Sequence, residues 1–293
     1  MELLSRKGAW VHALAPAKVN LFLHITGRRE DGFHELESLF VFVDFGDEIR
    51  VRAADELSLR ISGPFAQALD GAVSDNLVMR AARAVQATAG TSVGAEIILE
   101  KNLPIAAGIG GGSSDAAATI RALEALWELG LSDRARFDLA ERLGADVPAC
   151  LDARPKLVRG IGEKLAPFDA PDGLFIVLAN PGIALSTPAV FGAYVRSGAP
   201  FSESMGGEIN WVETLAAGND LQASATELAP EIEKLLNVLH SDQQAVKVGM
   251  SGSGATCFAL FATQDGGKKC AQTIEGSGVA TWAHFGRVVV AGG

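Results

Sequence analysis

Pro104-Ile105-Ala106-Ala107-Gly108-Ile109-Gly110-Gly111-Gly112-Ser113-Ser114 joins a strand-like run, Ala95 to Lys101, to the most regular helical pattern in the chain. After it, Ala116, Ile120, Leu123 and Trp127 recur at helical spacing, and Gly130 follows as a stop. Glycines let a backbone approach a ligand closely and turn its amides inward. A helix N-terminus adds unpaired N–H groups and the positive end of a dipole. Strand, glycine loop and helix start together predict a phosphate site on an α/β fold. Ser113 and Ser114 are placed to cap the helix, and their hydroxyls could also face phosphate or a magnesium ion. Asp115 reads as a first-turn carboxylate that favours the dipole, with a metal ligand as the weaker alternative. Two other phosphate motifs are excluded. A P-loop ends in Gly-Lys-Ser/Thr, and no lysine stands here; the dinucleotide fingerprint needs Gly-x-Gly-x-x-Gly, and Gly108-x-Gly110 is followed by Ser113.

Working toward the N-terminus, Val19, Leu21, Leu23 and Ile25 alternate with Lys18, Asn20, Phe22 and His24, the period of a strand. Lys18 and Asn20 would then share one face. Lys18 among apolar neighbours reads either as a lysine that snorkels to solvent or as a cation that orients a base during phosphoryl transfer. Gly27 to Gly32 reads as a turn. Beside it, Phe33 and His34 could sandwich a flat base or fill a core edge. Leu39 to Phe45 and Glu48 to Arg52 read as two strands, and Asp75 or Asn76 as the cap of a helix reaching about Thr88. Lys101 stands at a strand end, where it could reach a nucleotide.

Toward the C-terminus, a helix over Ser132 to Leu143 stops at Gly144, with Pro148 beyond. Asp146 in Gly144-Ala145-Asp146-Val147-Pro148 reads as an Asx-turn residue or as a general base that takes the proton of an attacking hydroxyl. Further strands are expected at Leu174 to Leu178, Val246 to Met250 and Ala255 to Phe261, and helices at Pro188 to Val195 and Pro230 to His240. Ser251-Gly252-Ser253-Gly254 reads as a second close-approach loop or a hairpin turn. Asp152 to Pro155 breaks the pattern, so two domains are expected, residues 1–153 and 154–293.

The 293 residues exceed the usual size of a single core. A formal charge of -10 argues against nucleic acid as the main partner. The three cysteines are widely spaced, without a disulfide or zinc pattern, as in a reducing cytoplasm. Arg6 and Lys7 precede a short apolar stretch, but His12 interrupts it, which reads against a secretory leader. No apolar run reaches bilayer length, so no membrane partner is expected.

Taken in order, several segments resemble the GHMP small-molecule kinases. They are Ala15-Pro16-Ala17-Lys18-Val19-Asn20-Leu21, Asp31-Gly32-Phe33-His34-Glu35-Leu36, Leu103 through Ala117, and Leu143 through Pro148. Gly160-Ile161-Gly162-Glu163, Ser186-Thr187-Pro188, Asn219-Asp220-Leu221 and Met250 through Gly254 extend the likeness over nearly the whole chain. Within that superfamily the match is to a branch acting on a cytidine diphosphate sugar alcohol in isoprenoid precursor synthesis. The resemblance implies an N-terminal ATP-binding domain with a left-handed β-α-β unit, a ferredoxin-like C-terminal domain, and an active site in the cleft between them. It implies ATP as phosphoryl donor with bound Mg²⁺ and catalytic roles for Lys18 and Asp146. It places the ATP phosphates on the loop from Pro104 to Ser114, the cytosine on Phe33 and His34, and Thr187 near the substrate. The family commonly has tyrosine where this chain has Phe33; stacking survives that change, and any hydroxyl hydrogen bond is lost.

Overall fold

The computed structural model describes residues 1, 3–69 and 75–290. They form two compact units. One comprises Met1–Lys18, Phe45–Ile105 and Gly110–Ala153; the other comprises Val19–Asp44, Ala106–Ile109 and the described residues from Arg154 on.

In the first unit, β1 (Leu4–Lys7) pairs antiparallel with the start of β2 (Trp10–Arg28), Leu4 opposite Ala13. The sequence pattern divides residues 39–52 into two strands, but a single strand, β3 (His34–Ala54), runs through. Gly46 is what permits it: a Cβ there would lie 1.9 Å from the Ala15 carbonyl oxygen. β4 (Ser58–Ser62) leads through α1 (Leu77–Ala89) to β5 (Gly94–Glu100), which lies parallel to β4 and antiparallel to β3. This is the expected β-α-β unit. Asn76 caps α1 by accepting from Val78 N at 2.9 Å, and Gly90 closes it at φ 61°.

α2 (Gly111–Leu126) is buried from Ser114 through Leu123. Its alanines at 116, 117, 118 and 122 are all buried, and α1 packs against it. α3 (Asp133–Leu143) starts at Ser132, whose side chain accepts from Ala135 N, and a short α4 (Val147–Cys150) follows.

In the second unit, β6 (Lys156–Gly160) pairs with β3, Leu39 opposite Leu157, and with β7 (Lys164–Pro167). β8 (Phe175–Asn180) precedes α5 (Thr187–Ser197), α6 (Trp211–Ala216), α7 (Gln222–Leu228) and α8 (Glu231–His240). Then come β9 (Ala245–Met250), β10 (Cys257–Phe261), α9 (Gln264–Ser277) and β11 (Trp282–Val289). The strand order β11-β8-β10-β9 is antiparallel throughout. Fourth, first, third, second is the ferredoxin-like order that the resemblance implied. Val177, Ala179, Leu235, Leu239, Phe261 and Ile274 lie in its core. No helix among the described residues is long and apolar enough to cross a membrane.

Candidate active site

Lys18 sits on β2 with its side chain 5% exposed, and its Nζ lies 3.2 Å from Asp146 Oδ2. Asp146 occupies the turn between α3 and α4, at the N-cap of α4. It makes no side-chain capping bond, so its carboxylate is not used in the Asx-turn that a short aspartate there could form. The turn itself is closed by backbone, Val147 N donating to Gly144 O at 3.1 Å. The carboxylate keeps 35% of its surface open. The buried cation fixes the orientation of the carboxylate, and the exposed part of that carboxylate is within reach of a ligand proton.

The same lysine borders the start of α2. Gly110 is the N-cap, at φ 64°, and a Cβ there would lie 2.9 Å from Lys18 Cε. Only glycine meets both demands, positive φ and close approach. Ser114 N donates to Gly110 O at 2.9 Å, the first intrahelical bond, so the amides of Gly111, Gly112 and Ser113 precede it and have no helical acceptor. A Cβ at Gly112 would meet nothing within 4 Å. Neither serine caps the helix, contrary to the sequence reading. Ser114 is fully buried and donates to Pro16 O at 2.7 Å, tying α2 to the strand that carries Lys18.

Beneath this junction, Lys101 Nζ donates to Asp47 Oδ2 at 2.5 Å and to Asp115 Oδ2 at 2.7 Å. All three side chains are at most 4% exposed. Asp47 Oδ1 also accepts from Asn102 N and Leu103 N at 2.6 and 2.8 Å, which pins the strand where it enters the loop. Asp115 is therefore not a surface carboxylate of the first turn but a buried member of an ionic cluster. Burial pushes it up to about 8; Lys101 opposes that shift and Asp47 reinforces it. Burial pulls Lys101 down, but its two carboxylates outweigh it and hold the ammonium above its ordinary range. Asp47 was missed in the sequence because it stands in the Gly46-Asp47 break between two apolar runs.

In the second unit, residues 106–109 are held by backbone. Ala106 has φ 50° and Gly108 φ 73°. Ala107 O accepts from Thr256 N at 3.2 Å, and Gly108 O from Ser251 Oγ at 2.9 Å. A Cβ at Gly108 would lie 2.3 Å from Ser251 O, so Met250-to-Gly254 is both a hairpin turn and a close-approach loop. Asn20 donates its backbone N–H to Ser251 Oγ and its side-chain amide to Ser38 Oγ, at 3.0 and 2.8 Å. Asn219 donates to Met250 O and Gly252 O, both at 2.8 Å, and secures the turn from below. Thr187 Oγ1, at the start of α5, lies 2.9 Å from Ser253 Oγ.

Phe33 and His34 part company. Phe33 stands 60% exposed, in a turn closed by its N–H on Asp31 Oδ1. His34 stacks on Phe191 of α5, centroids 5.1 Å apart, with Tyr194 edge-on at 6.2 Å. Its Nε2 is buried without a hydrogen-bond partner. Burial, then the nearby Arg28 charge, lowers its pKa and favours neutral imidazole. Phe191 and Tyr194 were not singled out in the sequence; the signal available was aromatic residues at positions 191 and 194 of a helix beginning at Thr187. Among the described residues, no group of three His, Cys, Asp or Glu side chains is arranged to hold a metal ion.

Residues 76–154 match the family of GHMP kinases N terminal domains, and residues 207–279 that of GHMP kinases C terminal domains. The chain is 45% identical over 287 residues to the 4-diphosphocytidyl-2-C-methyl-D-erythritol kinase of Parvibaculum lavamentivorans, covering 95% of this chain and 97% of that one. It is 48% identical over 256 residues to the kinase of the same name from Ruegeria pomeroyi, covering 86% and 88%. Among solved structures it is similar to a 4-(cytidine 5'-diphospho)-2C-methyl-D-erythritol kinase, with a TM-score of 0.79, 34% identity, and 96% and 100% of the two chains covered. A homoserine kinase from Cytophaga hutchinsonii shares the fold at a TM-score of 0.70 and 18% identity, covering 98% and 97%.

Proposed function

The chain belongs to the 4-diphosphocytidyl-2-C-methyl-D-erythritol kinase family of the GHMP kinases, and from that premise we propose that it transfers the γ-phosphoryl group of ATP to the 2-hydroxyl of 4-diphosphocytidyl-2-C-methyl-D-erythritol. The observation that carries the reading is the Lys18–Asp146 pair at 3.2 Å, beside a helix N-terminus with free amides. When bound on the loop from Pro104 to Ser114, ATP would supply the phosphoryl group, and Mg²⁺ carried with it would offset the phosphate charge. The residues fit a donor of that kind: Gly110 closely approaches Lys18, Gly112 leaves open space, and three amides point out of α2.

Asp146 accepts the proton of the acceptor hydroxyl as the oxygen attacks phosphorus. Lys18 orients Asp146 and offsets the negative charge that develops around the transferring group. The loop from Pro104 to Ser114, with Lys101 beneath it, receives the donor's phosphates on its amides. On the acceptor side, Phe33 stacks on the cytosine, and the unpartnered Nε2 of His34 offers a hydrogen bond to the base. Asn20 and Thr187 complete the acceptor contacts. Residues 1–153 and 154–293 serve as the N- and C-terminal kinase domains, and the enzyme works in the cytoplasm.

The test is ATP turnover by the purified chain against three acceptors: the cytidine diphosphate sugar alcohol, homoserine and mevalonate. Turnover confined to the first is expected. Preference for either of the others would sink the acceptor assignment.

A further inference from the structure

The triad beneath the glycine loop has no part in proton transfer as argued above, yet it holds three ionisable groups out of water. We propose that Asp115 is a positioning residue for the phosphate loop: it shares one buried ammonium with Asp47, and the charge held by the three groups together sets how well the α2 N-terminus accepts the donor's phosphates. This rests on the reading of that terminus as the ATP phosphate site.

The two carboxylates are not equivalent. Asp47 accepts three hydrogen bonds, two from backbone amides and one from Lys101. Asp115 accepts one, from Lys101, and its Oδ1 is buried with no partner. Where two carboxylates share one site, the second to ionise is strongly disfavoured, and the less well-solvated one keeps the proton. That one is Asp115. With its proton the triad is neutral, one cation against one anion; without it the triad carries one negative charge.

The charge would sit directly under the loop. A Cβ at Gly111 would lie 3.1 Å from Lys101 Nζ and 3.6 Å from Asp47 Oδ2, so the first residue of α2 rests on the triad. A buried negative charge there offsets the positive potential of the helix N-terminus and repels a polyanionic ligand. Lys101 and Asp47 are the charged groups that face Asp115. On the neighbouring elements, Arg80 and Arg83 of α1 are exposed, and α3 pairs its arginines along the surface with Glu124, Asp133 and Asp138. Arg121, further along α2, donates to the carbonyls of Leu14, Cys150 and Leu151. Asp146, ahead of α4, pairs with Lys18.

The sign follows from the raised position of Asp115, about 8. Below it the carboxyl is neutral and phosphate binding is favoured; above it the charge appears and affinity falls. Calorimetric titration with a non-hydrolysable ATP analogue, from pH 6.5 to 9.5 on the full chain, reads this directly. We expect the wild-type Kd to rise roughly threefold to tenfold across that range, the order of one charge at a helix N-terminus. The Asp115→Asn variant, whose amide cannot ionise, should hold one affinity throughout. A melting series on both proteins gives a second readout. Folded Asp115 binds its proton more tightly than the unfolded chain does, so its contribution to stability is fully present below the unfolded carboxylate range and is lost as pH rises toward 8; Asp115→Asn should lack that share of the wild type's pH dependence. Binding by the wild type with a flat Kd, or an equal fall in the variant, overturns the inference while leaving the donor reading intact. No binding at any pH overturns both.

Discussion

Two lysine–aspartate arrangements lie within the first unit, and they differ in one respect that matters, access to solvent. Lys18 meets Asp146 at 3.2 Å, and the carboxylate is 35% exposed. Lys101 meets Asp47 and Asp115 at 2.5 and 2.7 Å, and none of the three exceeds 4% exposure. Proton transfer needs a carboxylate that a ligand can touch, so the looser, half-open pair is the one suited to chemistry. A sealed cluster cannot exchange protons with a substrate; what it does is fix the backbone around it and set a local charge. The same residue types thus divide into a half-open pair and a sealed triad through burial alone.

The largest expected effect tests the first half of that contrast. Asp146→Asn keeps the shape and cannot take the proton, so kcat should fall ~10²–10⁴-fold while the Kd for an ATP analogue changes little. Steady-state kinetics beside calorimetry checks it; a variant with most of its kcat would make Asp146 a bystander. The second half is tested by stability. Lys101→Met leaves the buried Asp47 carboxylate without its cation, and breaking a buried pair in this way destabilises by about 3–5 kcal/mol. Urea unfolding should show that loss. Lys18→Met, facing a carboxylate that water can reach, should lose far less stability and far more rate. Equal losses from the two variants would erase the distinction.

The smallest expected effect carries the access rule into the second unit. Phe33 is exposed and packs no core, so Phe33→Ala should leave Tm within a degree or so, its side chain being free of the mechanisms that give large losses. Stacking on a base is worth about 1–3 kcal/mol, which predicts a KM for the cytidine acceptor raised by roughly one to two decades, with the KM for ATP little moved. A drop in Tm with both KM values altered would instead assign Phe33 to packing.

Much of this was legible locally. The α1 cap, read as Asp75 or Asn76 and found at Asn76, follows from side-chain chemistry within one turn, and the expected end at about Thr88 falls within a residue of the observed Leu77–Ala89. The start of α2 was equally readable from its glycine run, whereas Lys18 and Asp146 each kept two local readings and were joined as a candidate pair by the resemblance. Other elements were hidden by the residues that make them possible. α9 was not singled out from the sequence, and it contains the poor helix formers Gly266 and Gly267; a Cβ at Gly267 would lie 2.5 Å from the Phe285 ring, so glycine is required there for packing on β11. β3 was cut at Gly46 for the same reason.

By itself the sequence determined the periodic elements, the turn chemistry between them and the glycine loop at the head of α2. These depend on neighbours within a few residues, where the chain's own geometry leaves little choice. Only the tertiary structure decided what each charge is for. Asp47, Lys101 and Asp115 span 69 positions, and no local rule brings them to one point. Their protonation and purpose depend on burial and on partners distant in the chain, because taking a charge out of water dominates its energy and the folded core alone determines how that charge is compensated.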